Sequence, residues 1–390
     1  MGEIISEITI KGFKSIRSLE AFPLRNINVL IGSNGAGKSN FVGFFRMLRE
    51  LIEHRLQLAV ATQGGADACL YLGPRVTKEL SARLRFGVNG YEFSLVPTTD
   101  NKFVFANEAA LYTGQHVAGS TSRKLLGSGH FEARLYDRKD DPGLRASKGV
   151  PHYVFEAISS WVVYHFHDTS MLAEVRRQGP INDDVFLRAS AENLAAFLYR
   201  IRSTHPESYL KIRDAVRLAA PFFDDFKLRP VPTTPDLIQL EWLQEGSDYP
   251  FRASQLSDGT LRFICLATAL LQPSPPRTML FDEPELGLHP YALSLLGSLF
   301  QKAISPVGYA TNQLIVSTQS ALLLDEFALE DIIVVERRDG QSVFQRLDSA
   351  RLSDWLADYT LGELWQKNLL GGRPQQEHGA PAQISSEVSS

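Results

Sequence analysis

The sequence predicts an α/β fold built on a mostly parallel sheet covered on both faces. Three observations carry that expectation. An apolar run, Ile27 to Ile31, enters a glycine-rich loop and then a helical stretch. From residue 155 onward strand-like and helix-like segments alternate, the pattern of parallel strands joined by helical crossovers. A second apolar run, Thr278 to Phe281, ends in the carboxylate pair Asp282-Glu283. Ligands of such sheets bind at the carboxyl ends of strands.

At the N-terminus, β-formers cluster in IISEITI, SIRSLEAFPL and INVLI, with Gly12 and Arg25-Asn26 near the turns. A helix is expected from Ser39 to about Val60, because Phe41, Phe44, Phe45, Leu48, Leu51 and Ile52 recur at helical spacing. Residues 63–150 read as an inserted β-rich, loop-containing lobe, with ARLRFGVNGYEFSLVP and NKFVFANEAALYT as hairpin or meander pieces. Within it, residues 121–150 hold seven Lys/Arg (Arg123, Lys124, Arg134, Arg138, Lys139, Arg145 and Lys148) against four acids. That stretch is either a solvated loop or a contact for DNA or a protein partner.

WVVYHF is expected as a buried strand, and residues 184–219 as two helices broken near Thr204–Glu207. A β segment (DLIQLEWL), a helix from Asp258 to Leu271, the TMLF strand, a helix over 292–304 and the QLIVST strand follow. The hairpin DIIVVERRDGQSVFQRL turns at Asp339-Gly340, and a last helix spans about 351–369, ending at Gly371-Gly372. The domain reading is 1–62 and 255–372 as two halves of one core, 63–150 as the inserted lobe, and 151–254 as a helical lobe with a β segment. The tail, 373–390, is rich in Pro, Gln, Ser and Ala and is expected to be disordered.

Composition narrows the function classes. The 390 residues are 44% hydrophobic and 22% charged, ordinary values for a globular chain. A net charge of −4 gives no overall field toward nucleic acid, so DNA binding would need a local basic patch. Two cysteines, Cys69 and Cys265, without CxxC spacing argue against a disulfide framework and a thiolate zinc site. The first residues lack a signal-peptide layout, and the longest apolar stretch, around Phe263 to Leu271, is short for a bilayer span. A cytoplasmic protein without a membrane partner is expected.

Gly32-Ser33-Asn34-Gly35-Ala36-Gly37-Lys38-Ser39 fits the phosphate-loop pattern G-x-x-x-x-G-K-[ST] at every required position. Glycines let successive backbone N–H groups turn toward a β-phosphate, and the following helix adds its positive end. Lys38 would reach the β- and γ-phosphates and Ser39 would coordinate magnesium. Asn40 completes the stretch facing the nucleotide. Asp282 would hold the magnesium shell, and Glu283 would orient or deprotonate the attacking water. Before that strand, Leu256-Ser257-Asp258-Gly259-Thr260 opens a helix, with Ser257 as N-cap and Gly259 leaving the backbone approachable, a second anion-binding device.

Phosphate loop, Ser-x-Gly helix start and Phe-Asp-Glu-Pro strand, in that order, resemble an ABC-type ATPase. ITIKGFKSI, FDEPELGLHP, QLIVSTQSALLLD and LADYTLGELWQKNLLGGRP are similar to the SMC/RecF-like group and its small bacterial predicted ATPases of AAA type. The resemblance covers residues 1–50 and about 155–374. It implies a P-loop NTPase with an ABC-type ATPase head, ATP and Mg2+ as ligands, and a homodimer in which Ser257 and Gly259 close on the opposite subunit's γ-phosphate.

The resemblance further implies a role for Lys14 near the nucleotide phosphates, and a conformational switch in DNA maintenance or anti-phage defence with an effector partner such as a nuclease. Departures are visible. Ser257-Asp258-Gly259-Thr260 stands where transporters show Ser-Gly-Gly-Gln, and Asp258 is expected to point away from the nucleotide. Gln319 occupies the switch-histidine position, where it donates a hydrogen bond but carries no charge. The Q-loop position holds His167-Asp168-Thr169-Ser170; either His167 or Asp168 is a further metal-site candidate, and an ordinary polar turn is the alternative. No sustained heptad repeat fills the gap before Asp282, so a long coiled-coil arm is not expected. A transporter nucleotide-binding subunit and a non-hydrolysing ATP sensor are the alternative readings.

Overall fold

The computed structural model describes residues 3–114, 122–142, 148–304, 312–348, 352, 355 and 358–372. Its centre is a six-stranded sheet in the order Gln341–Arg346, Ile332–Arg338, Ile27–Ile31, Gln313–Ser317, Thr278–Asp282, Trp161–Tyr164. All neighbours are parallel except the antiparallel hairpin of its first two strands. The strands Ile27–Ile31, Gln313–Ser317, Thr278–Asp282 and Trp161–Tyr164 are mainly apolar because both faces are covered, whereas the edge strand Gln341–Arg346 is mostly polar. Met279, Phe281, Leu314 and Val316 face one core, whereas Leu280 and Ile315 face the other.

The second sheet is antiparallel and also six-stranded: Ile16–Pro23, Glu7–Phe13, Leu80–Phe86, Asn89–Pro97, Phe103–Tyr112, Ser122–Gly127. The segment read as an inserted lobe thus shares a sheet with the first two strands, through pairs such as Ile8 with Leu84. Helix Lys38–Ile52 lies between the two sheets and buries Phe41, Phe44, Phe45, Leu48, Leu51 and Ile52 there. Helices Leu194–Thr204, Pro206–Ala219, Asp258–Leu271 and Pro290–Ala303 pack on the opposite face of the central sheet.

Several boundaries differ from expectation. The helix expected to reach Val60 stops at Ile52 and restarts at Leu56, because His54 takes a left-handed conformation (φ 58°) and Arg55 folds back onto Glu50 and Glu53. Residues 184–193 are not helical; Asn193 instead ties the loop together, its amide donating to the carbonyls of Asp183 and Phe186. DLIQLEWL divides into two strands, Thr234–Ile238 and Glu241–Gln244. Of the last expected helix, Leu361–Gln366 is described; much of 349–357 and the whole tail 373–390 lie outside the described residues.

Three of the seven cations of the basic stretch 121–150 pair with acids within it, and a fourth pairs with Glu92. Lys124 and Arg138 both pair with Asp141 (2.9 and 3.7 Å), Lys148 with Asp140 (3.8 Å) and Arg123 with Glu92 (3.2 Å). Lys139 lies 3.6 Å over the Tyr136 ring, and Arg145 lies outside the described residues. Among the described residues, no helix is long and apolar enough to cross a membrane.

Candidate nucleotide site

Parallel register brings the candidate residues to one end of the central sheet. Asp282 is opposite Ser317, and Ser317 is opposite Leu30, two residues before the glycine loop. Gly32 has φ 152°, and a Cβ there would lie 2.1 Å from the Val335 carbonyl oxygen. Gly37 has φ 116°, and its Cβ would lie 2.0 Å from Ser342 Oγ. Both positions therefore demand glycine on steric grounds alone.

Ser342 supports the loop from behind. Its hydroxyl donates to the Ala36 carbonyl (2.5 Å) and lies 2.6 Å from Ser15 Oγ, which also accepts from the Asn40 amide (2.7 Å). The Lys38 ammonium is buried and donates to the carbonyls of Gly32 (2.7 Å) and Ser33 (3.1 Å), curling over its own loop. Burial pushes its pKa down, against the opposing pull of Glu283, Asp282 and Glu285. Ser39 is exposed in the first turn of the helix, as are Asn34 and Gly35 on the loop.

The acid pair is held by the neighbouring strand. Ser317 Oγ donates to Asp282 Oδ1, and the Glu283 N–H donates to the Ser317 carbonyl (2.9 Å). Glu283 is left-handed (φ 45°), a conformation that a side-chain-bearing residue adopts at a cost of about 1 kcal/mol or more and that clusters at functional sites. The Gln319 side-chain amide donates to Glu283 Oε1, so the two predicted catalytic groups touch. The Gln319 backbone N–H donates to Glu285 Oε1 (2.6 Å). Burial raises the Glu285 pKa, against the opposing pull of hydrogen bonds from the Gln319 N–H and the Thr318 side chain.

His167 lines the same cleft as Asp282 and Glu283, together with Arg262 and Pro284. Asp168 is turned into a local bend instead, accepting from the Ser170 N–H (3.0 Å). Lys14 sits in the left-handed turn between the first two strands (φ 47°), its ammonium 5.5 Å from the Phe13 ring centre and its pKa lowered by burial. Among the described residues no hydrogen bond joins its side chain to the glycine loop. No group of three or more His, Cys, Asp and Glu side chains arranged for a metal occurs among the described residues. Ser39 and Asp282 would thus need phosphate oxygens and water to complete a magnesium shell, which is the usual arrangement for that ion.

Ser257 caps its helix by accepting from the Thr260 N–H (3.1 Å), and its side chain is exposed. Asp258 is exposed as well, and Arg176 Nη2 holds its carboxylate at 2.7 Å. A second reason for Gly259 emerges here: a Cβ would lie 2.2 Å from the Gly287 carbonyl oxygen, so the helix start is seated on the loop that follows the acid pair.

Two buried arginines, absent from the predicted site, fix these loops. Arg262 donates to the carbonyls of Phe166 (2.8 Å), His167 (3.0 Å) and Leu286. Arg176 donates to the carbonyls of Thr169 (2.9 Å), Leu256 (3.2 Å) and Ala253, besides pairing with Asp258. The sequence offers a signal for Arg262, a lone charge within the apolar helix LRFICLATALL. Arg176 sits in an ordinary polar stretch and offers none.

Residues 141–325 match the family model described as AAA domain, putative AbiEii toxin, Type IV TA system. No match was found among curated proteins. Among solved structures, the chain is similar to an Smc head bound to the C-terminal winged-helix domain of ScpA, at 17% identity and a TM-score of 0.55, covering 89% of this chain and 99% of that one. It is also similar to an Smc head domain with an extended coiled coil, bound to the C-terminal domain of ScpA from Pyrococcus furiosus. That match has 16% identity and a TM-score of 0.50, covering 91% of this chain and 99% of that one. The chain therefore has the fold of the Smc head domains, and its residues 141–325 match an AAA domain.

Proposed function

We propose that the protein binds ATP and Mg2+ and hydrolyses ATP as an ABC-type switch that dimerises around nucleotide. The observation that carries this reading is the convergence of Lys38, Asp282, Glu283 and Gln319 at one end of the central sheet, with Glu283 in a left-handed conformation against the Gln319 amide. Lys38 and the loop N–H groups of residues 32–40 bind the phosphates; Ser39 and Asp282 hold Mg2+, with His167 near its water shell. Glu283 orients the attacking water, and Gln319 senses the γ-phosphate by exchanging its bond to Glu283 for one to phosphate.

Ser257 and Gly259 act on the nucleotide of a second copy in a two-fold arrangement. The exposure of Ser257 at the start of its helix supports this, because it leaves the serine and the positive helix end open to a phosphate carried by another copy. We read residues 1–62 and 255–372 as the ATPase halves and assign the protein to the cytoplasm.

The match of residues 141–325 to a putative AbiEii toxin family of a Type IV TA system favours a defence role, with a partner protein as effector, over DNA repair. The pairing of Lys124, Arg138 and Lys148 with Asp141 and Asp140 weakens that stretch as a DNA contact. One observation favours a second reading, a non-hydrolysing ATP sensor: the Gln319 amide occupies the carboxylate oxygen a water would need.

Steady-state ATP turnover with and without double-stranded DNA separates these, using Glu283→Gln as the blank. The switch reading expects turnover that the variant lowers at least about 10²-fold, the scale of a positioned general base. It also expects the variant to sediment as a dimer only with ATP. Wild-type protein that binds ATP without turnover supports the sensor. A Glu283→Gln monomer at saturating ATP refutes the dimer, and DNA stimulation reinstates DNA as a ligand.

A further inference from the structure

The last described segment, Leu361–Gly372, connects two ends of the nucleotide site. It begins with a capping box in which Thr360 and Glu363 satisfy each other's backbone N–H groups, and Leu361, Leu364 and Leu370 anchor it in the core. Near its start, the Gly362 N–H donates to Asp325 Oδ1 (2.6 Å), and a Cβ at Gly362 would lie 2.5 Å from the Ala321 carbonyl oxygen. Ala321 opens the short helix Ala321–Leu324, which Ser320 caps immediately after Gln319. This end of the segment therefore sits on the element that carries the candidate γ-phosphate sensor.

The other end sits on the phosphate loop. Gly371 and Gly372 both have φ 85°. The Gly372 N–H donates to Glu336 Oε1 (2.9 Å), and a Cβ at Gly371 would lie 2.7 Å from the same oxygen. A Cβ at Gly372 would lie 3.2 Å from Gly32 Cα, with the Trp365 indole nitrogen 3.5 Å away. Gly32 is thus enclosed on one side by Val335 of the central sheet and on the other by Gly372. A side chain added at Gly372 would therefore press on the loop entrance, since interiors transmit displacement rather than absorb it.

We propose that Leu361–Gly372 is a positioning strap of the ATP site: Gly372 sets the entrance of the phosphate loop, Gly362 sets the helix behind Gln319, and Trp365 stands between them. The two contacts differ in consequence. Crowding Gly372 displaces Gly32 and weakens nucleotide binding, whereas crowding Gly362 displaces Gln319 and lowers turnover at unchanged affinity. The strap rests on the ATPase reading, so the experiment separates their failures.

Binding of a fluorescent non-hydrolysable ATP analogue to the full chain is measured for wild type, Lys38→Ala, Gly372→Ala and Gly362→Ala, with KM and kcat for ATP alongside. Gly372→Ala is expected to bind about fivefold more weakly or worse, from a left-handed alanine pressed on Gly32, with kcat changed less than KM. Gly362→Ala is expected to keep wild-type affinity and lose kcat. As a measurement independent of these variants' folding, ATP added to wild type should change tryptophan emission, and Trp365→Phe should abolish the change.

Wild-type affinity in a folded Gly372→Ala, or an ATP response that survives Trp365→Phe, overturns the strap and leaves the ATPase reading standing. A wild type that fails to bind the analogue, like Lys38→Ala, refutes the ATPase reading and the strap with it.

Discussion

Replacing Arg262 by methionine tests whether the loops around the candidate site form one mechanical unit. The guanidinium belongs to a residue only 7% exposed and donates to three carbonyls, on Phe166, His167 and Leu286. Those carbonyls belong to the loop after the sheet-edge strand Trp161–Tyr164 and to the loop after Asp282-Glu283. A hydrogen bond from a charged donor contributes about 1.5–3 kcal/mol.

Three such bonds would sum to several kcal/mol, but the buried cation carries a desolvation cost that works against them, visible in its lowered pKa. Methionine keeps the apolar stem, so the expected net loss is about 2–4 kcal/mol. A domain of ordinary stability, about 5–15 kcal/mol, survives that and stays folded. Urea unfolding should show the lower midpoint at an unchanged slope. Turnover should fall about tenfold or more while KM for ATP stays within about twofold, because the glycine loop is untouched. Arg262→Lys should recover less than half of either effect, since one ammonium does not span three separate carbonyls. A variant with the wild-type urea midpoint and kcat would refute the argument that this arginine holds the loops together.

The thiols offer a test of core packing. Cys69 and Cys265 are buried, and burial raises both pKa values, that of Cys265 to about 12. The native protein at pH 7.5 should therefore react with an aromatic disulfide reagent at least about 10³-fold more slowly than the urea-unfolded chain, since the thiolate is the nucleophile. Rapid labelling of the native state would refute that packing.

Glu108, fully buried, accepts from Tyr91 Oη (2.8 Å) and from the N–H groups of Arg134 (2.9 Å) and Leu135 (3.0 Å), with His130 Nε2 at 3.4 Å. Glu108→Leu should cost about 3 kcal/mol or more by stranding three donors, read as a lower thermal midpoint. Burial raises the Glu108 pKa, so the folded state binds its proton more tightly than the unfolded state does. That contribution is complete below the unfolded pKa and fades as pH rises through the folded one. The wild-type advantage over Glu108→Leu should accordingly narrow with rising pH, and a gap that widens would contradict the assignment.

Elements whose signals are local could be read from the residues alone. The glycine loop was legible because 32–39 obeys a spacing imposed by phosphate geometry, and the central strands because burial on both faces forces apolar runs such as TMLF and QLIVS. The helix Asp258–Leu271 was legible from its serine cap and apolar length.

Features that depend on distant chain segments meeting emerge only once the chain is folded. The strands Leu80–Phe86, Asn89–Pro97, Phe103–Tyr112 and Ser122–Gly127 join the sheet begun by Glu7–Phe13 and Ile16–Pro23, a pairing that alternation of apolar and polar residues cannot specify because any antiparallel edge would satisfy it. The helix break at His54 depends on one left-handed residue that local spacing does not mark. Gly259, Gly362 and Gly372 are each crowded by a backbone far away in sequence, and Arg176 and Arg262 acquire their roles from carbonyls on separate loops. Hydrophobic periodicity encodes which face of an element is buried; it carries no record of which backbone groups will stand opposite once the faces meet.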